Sequence, residues 1–190
     1  MDTAAIIRHA VTPSAFGTSV DWSDAYHHVP VHDNFKNFLA FQDGERRLRY
    51  VCCLFGLSPL PQVFNEICLP LKAYVRQTWR VPVFQYLDDW LFFSCSFADL
   101  ESVTRAFVQL RIRLGLSVNL EKSSLVPSTQ LIHLCVEWNF DSASVRPPPA
   151  KSVTVATEAT HLAASHSVTL PRLESFLGKL VALHTGAALA

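Results

Sequence analysis

A chain of 190 residues with 49% apolar side chains and 6 glycines can bury a core, which excludes a disordered or low-complexity protein. Sixteen basic and sixteen acidic residues give a formal charge of zero, so tight autonomous binding of a polyanion is not expected. The five cysteines are odd in number, lie in apolar runs and lack paired ligand spacing; with no apolar stretch long enough for secretion or membrane insertion, they predict buried thiols in an intracellular protein, cytoplasmic or nuclear.

Residues 1–17 read as a short helix and a Pro/Ser/Gly connector. Residues 18–22 are predicted as a buried strand running into a polar, aromatic bend at 23–28. Residues 35–41 and 48–54 are expected to form two strands of a hairpin turned at Asp43-Gly44. After Pro59 and Pro61 the apolar period becomes three and four (Val63, Phe64, Ile67, Leu71, Tyr74, Val75, Trp79), the pattern of an amphipathic helix with proline at its start. Residues 83–86 and 90–93 then form two short strands around Leu87-Asp88-Asp89, a second hairpin with carboxylates at its tip. Helical spacing returns over 98–114 and stops at Gly115, and 131–138 read as a strand. Pro147-Pro148-Pro149 marks a boundary, beyond which a Thr/Ala-rich helix and a helix entered at Thr169 are expected. The fold class is therefore α+β, an antiparallel sheet backed by helices with a small helical appendage at 147–190.

Asp88 and Asp89 are adjacent anions between apolar strands, and two unit charges about 4 Å apart repel by roughly 4 kcal/mol at an effective dielectric near 20. A divalent cation would turn that repulsion into ligation, although Asp is also an ordinary turn residue. Asp21 ends another apolar strand, and three carboxylates converging at one sheet edge could hold two metal ions for nucleotidyl transfer. The neighbouring histidines His27, His28 and His32 point to alternate sides of an extended chain and are not expected to share a metal. Arg46, Arg47 and Arg49 read as a solvated hairpin face.

Five blocks in order resemble retroelement reverse transcriptases, most closely those of gypsy- or DIRS-type retrotransposons. Val20-Asp21-Trp22-Ser23-Asp24-Ala25-Tyr26 is similar to the first catalytic block and Phe55-Gly56-Leu57-Ser58-Pro59 to the second. Tyr86-Leu87-Asp88-Asp89 matches the third, residues 115–122 resemble the fourth, and 131–138 the fifth, the primer grip. The resemblance implies a polymerase palm over 18–146, with 1–17 a fingers remnant and connector and 147–190 a thumb- or connection-like appendage. It implies Asp21, Asp88 and Asp89 as ligands of two Mg²⁺ ions, with Mn²⁺ as a substitute, and Lys122 as general acid for the leaving pyrophosphate. Trp22, Asp24 and Ala25 would face the triphosphate through their backbone, Tyr26 would be the steric gate against ribose, and Phe55 and Gly56 would lie under the nucleotide.

The partners implied are an RNA or DNA template with its primer and deoxynucleoside triphosphates. Only Arg8 and His9 are basic before Asp21, and no ribonuclease H segment follows, so fingers, thumb and ribonuclease H parts are expected from a longer chain or another subunit. Cys135 stands where the fifth block often has glycine and is expected to perturb a tight turn. Two functions follow: an RNA-directed DNA polymerase domain, part of a retrotransposon polyprotein, or a catalytically inactive palm remnant acting as a binding scaffold.

Overall fold

A computed structural model describes residues 1–187. Strand β1 (Phe16–Trp22) is central because five of its seven residues are buried, and only a strand flanked on both sides satisfies its backbone there. Strands β2 (Ala40–Asp43) and β3 (Arg46–Arg49) form a separate hairpin, followed by helix α2 (Leu60–Trp79) and strands β4 (Val83–Tyr86) and β5 (Asp89–Ser94). Helix α3 (Phe97–Arg113) leads to β6 (Val118–Ser128), and β4-β5-β1-β6 make one antiparallel sheet. A three-stranded sheet, β7 (Gln130–His133), β8 (Val136–Asn139) and β9 (Ser144–Arg146), precedes helices α4 (Pro149–Ala163) and α5 (Leu170–Ala187).

The period of two sorts the central sheet into two faces. Val20, Trp22, Trp90 and Phe92 pack with Phe64, Cys68 and Val75 of α2 and Leu100 and Phe107 of α3. Leu91 and Phe93 point the other way, onto Leu131, Trp138 and Phe140 of the second sheet region and Ile7 of helix α1 (Ala4–Arg8). Gly17 belongs to this second face, where a Cβ would stand 2.5 Å from Phe140 Cζ. Gly17→Ala is expected to destabilise the fold by about 2 kcal/mol, read as a lower denaturation midpoint, because the ring is walled in by Phe93 and Trp138. A midpoint equal to that of the unaltered chain would contradict this packing.

Several expectations need correction. Of the strand expected over 35–41, residues 35–39 belong instead to a 3-10 helix (Asp33–Leu39), whose turns are held locally, with His32 Nδ1 accepting from Asn34 N, Phe35 N donating to His32 O and Lys36 pairing with Asp33. The hairpin ladder is accordingly short, Ala40–Asp43 against Arg46–Arg49, and every one of its residues is exposed, the arginines included. Strand β6 went unforeseen because Glu121-Lys122-Ser123-Ser124 and Pro127 break any alternation. Of the cysteines only Cys68 is buried, where burial pushes its thiol up to about 12; Cys95 and Cys135 are exposed because they occupy a strand end and a turn, and all five are free.

The β7–β8 turn stays tight despite Cys135. Leu134 and Cys135 are its two central residues, between the His133–Val136 pair, and both have positive φ (51° and 64°), as a type I′ turn requires. A side chain in the left-handed region costs about 1 kcal/mol, so Cys135→Gly is expected to raise the denaturation midpoint by roughly 2–4 °C. A lowered midpoint would show that Cys135 makes contacts worth more than its backbone strain.

Candidate active site

Asp21 and Asp89 meet because of register. Val20 pairs with Trp90 in the antiparallel β1–β5 ladder, so one further step sets Asp21 opposite Asp89, on the face opposite Trp22 and Trp90. Their carboxyls face each other closely enough for each to act on the ionisation of the other. Burial, then the neighbouring Asp88 and Asp21 charges, push Asp89 up to about 7, and burial with the Asp88 charge raises Asp21 as well. Both carboxyls of the pair are therefore harder to ionise than isolated ones.

Asp88 occupies the two-residue hairpin loop with Leu87, whose φ of 53° is the positive value a II′-type turn demands at its first central position. From there Asp88 acts electrostatically on both other carboxyls and on Tyr26. Among the described residues no three His, Cys, Asp or Glu side chains already form a metal-ligating group; Asp21 and Asp89 face each other by register, and Asp88 precedes Asp89 in the hairpin loop. The donor set fits a hard divalent cation: it consists of carboxylate oxygens, and the raised pair is what a cation would allow to ionise.

Lys122 reaches this site through an irregularity in β6. Ser19 pairs with Ser124 and Asp21 with Asn119, leaving residues 120–123 opposite Val20 alone, and the bulge is stitched by Asp21 N donating to Ser123 Oγ (3.0 Å) and Lys122 N to Asn119 Oδ1 (3.2 Å). The Lys122 ammonium lies close enough to favour ionisation of both Asp21 and Asp89. A cleft of about 430 Å³ opens beside them, lined also by the His133–Cys135 turn and Lys151 of α4. Lys151 escapes sequence reading, since no local spacing joins it to Asp21, whereas the turn lies in the 131–138 block already singled out.

The remaining expected residues cluster on the other side of the hairpin tip. Tyr26 is half-buried, with its ring 4.9 Å from that of Phe55 and 5.5 Å from that of Phe64, and burial together with Asp88 and Tyr86 raises its hydroxyl. Phe55 is 70% exposed and Gly56 has φ 98°, a conformation that favours glycine. Asp24 is exposed in the left-handed region, Ala25 is buried, and the Trp22 side chain is buried against Trp90, which leaves only its backbone to face a ligand. The histidines have separate roles: His27 faces Asp24, His28 Nε2 lies 3.2 Å from Ser23 O and 3.4 Å from Ser117 N, bonding one or the other according to its tautomer, and His32 accepts from Asn34 N.

Residues 5–146 match the family model described as "Reverse transcriptase (RNA-dependent DNA polymerase)". The chain belongs to the reverse transcriptase family. Among curated relatives, Protein P of duck hepatitis B virus (strain China) is 26% identical over 113 residues, covering 60% of this chain and 14% of that protein. Protein P of heron hepatitis B virus is 24% identical over 119 residues, 63% of this chain and 15% of that protein. The chain therefore spans about a seventh of the length of these relatives. The foamy viral protease-reverse transcriptase in complex with dsDNA has the same fold, with a TM-score of 0.71 at 16% identity over 87% of this chain and 32% of that one. The same enzyme in complex with an RNA/DNA hybrid gives a TM-score of 0.70 at 16% identity, covering 86% of this chain and 20% of that one. This reverse transcriptase domain has, among its described residues, no helix long and apolar enough to cross a membrane.

Proposed function

We propose that the chain is the palm of an RNA-directed DNA polymerase, extending a primer on an RNA or DNA template with deoxynucleoside triphosphates, within a longer retrotransposon-type polyprotein. The observation that carries this is the Asp21–Asp89 carboxyl pair with Asp88 beside it, in a chain of this family. Asp21, Asp88 and Asp89 would hold two Mg²⁺ or Mn²⁺ ions. Bound there, the metal supplies activation of the primer hydroxyl and stabilisation of the leaving pyrophosphate.

The protein's own groups do the rest. Lys122, on the bulge beside the pair, would donate a proton to the leaving pyrophosphate oxygen, a role its proximity to Asp21 supports. Tyr26 and Phe55 form an aromatic wall beside Asp88 against which the deoxyribose packs, and the backbone from Trp22 to Ala25 faces the triphosphate. Gly56 allows close backbone approach to the base pair. The cleft beside Asp21 suits the primer terminus, with Lys151 facing its phosphates. Fingers, thumb and ribonuclease H functions would come from other parts of the polyprotein or a second subunit.

The test is primer extension in Mg²⁺ and in Mn²⁺ by this chain and by its Asp89→Asn variant. Metal-dependent incorporation by the first alone supports the polymerase. No incorporation by either replaces it with a non-catalytic palm serving as a binding scaffold.

A further inference from the structure

Arg111 near the C-terminal end of α3 is fully buried, yet among the described residues it makes no ion pair. An unpaired buried cation is costly, and an apolar side chain of similar volume would stabilise a core at least as well. Its burial therefore calls for a reason other than packing. The guanidinium stacks on Trp22, with Cζ 4.1 Å from the ring centroid. From that position Nη1 donates to the main-chain carbonyl of Asp21 (3.4 Å) and Nη2 to that of Ser117 (3.1 Å). Ser117 O also accepts from Ser23 N (3.1 Å), so one cation gathers the end of β1, the start of β6 and the bend that follows Trp22.

We infer that Arg111 is a positioning residue: its fork, locked on Trp22 and bridging the carbonyls of Asp21 and Ser117, fixes the strand end from which Asp21 presents its carboxylate to a divalent cation. This rests on the metal-holding role proposed for Asp21. The geometry assigns the work to the fork. Two separate carbonyls are held at once from one planar group, and a lysine ammonium on its flexible stem reproduces the charge without the span. The guanidinium lies against Trp22, on the side of the sheet away from the cleft, so it supports Asp21 from behind without occupying the metal's place. A residue that orients a ligand in this way commonly changes metal affinity by 10–100-fold when removed.

The experiment is Mn²⁺ binding to the full chain, followed by loss of the free-ion electron paramagnetic resonance signal, with circular dichroism confirming the fold of each variant. Arg111→Met is expected to weaken binding at least ~10-fold, and Arg111→Lys to weaken it by a smaller but measurable factor. Arg105→Met, on the same helix but exposed and paired with Glu101, should leave binding unchanged. Where Arg111→Met fails to fold, Arg111→Lys decides. Wild-type affinity in either folded Arg111 variant overturns the positioning role and leaves the metal site standing. Absence of Mn²⁺ binding in the unaltered chain overturns the two-metal reading, and this inference falls with it.

Discussion

Asp89→Asn is expected to lower metal-dependent incorporation at least ~10³-fold while making the metal-free chain more stable at pH 8. The activity loss follows from removing one of three carboxylates proposed to hold the metals, a change of roughly 4 kcal/mol in transition-state stabilisation. The stability gain follows from the same environment. Asp89 has a folded pKa of about 7, above the ordinary carboxylate value near 4, so the native state binds its proton more tightly than the unfolded chain does. The stability linked to that proton is complete below about pH 4 and is lost as pH rises through 7. At pH 8 the wild type carries an ionised Asp89 against Asp21 and Asp88, which the amide would relieve by about 1–2 kcal/mol after allowance for solvent screening of a partly exposed group. Thermal denaturation in chelator at pH 5 and pH 8 checks this: the variant's advantage should be present at pH 8 and small at pH 5. Equal midpoints at pH 8, or a variant that retains a tenth of wild-type incorporation, would show that Asp89 is an ordinary turn carboxylate.

What could be read from sequence and what could not divide along a physical line. Periodicity placed α2, α3, β4 and β5 to within a few residues, because each buries a continuous stripe or run and local pattern then mirrors tertiary position. Asp21, Asp88 and Asp89 stood out because charge inside apolar strands is expensive, and register brought the first and last together. Residues 35–39 differ from the expected strand because exposed Phe35 and Phe38 imitate a strand's apolar content. Arg111 was invisible for the opposite reason: on α3 it falls among Arg105, Arg111 and Arg113, and only the fold distinguishes a basic residue stacked on Trp22 from its solvated neighbours. Lys151 joins the cleft across a separation of more than a hundred residues from Asp21, which no local window spans.

Tyr26→Val is expected to reduce discrimination against ribonucleoside triphosphates by up to about 10²-fold, with a far smaller effect on deoxynucleotide incorporation. The Tyr26 ring packs between Phe55 and Phe64, and Asp88 lies close enough to raise its hydroxyl. In the steric-gate role proposed for Tyr26, a ribose 2′-hydroxyl would overlap the ring, and overlap of this kind costs about 1–3 kcal/mol, which sets the size of the effect. Valine removes the ring edge and opens the space. Tyr26→Phe separates the ring from its hydroxyl: it should keep wild-type discrimination, because the barrier is the ring's volume and not a hydrogen bond. The measurement is the ratio of kcat/KM for deoxy- and ribonucleotides in the three proteins. If phenylalanine relaxes selection as much as valine does, the hydroxyl is the discriminating group; if neither does, Tyr26 is a packing residue and the ribose is read elsewhere.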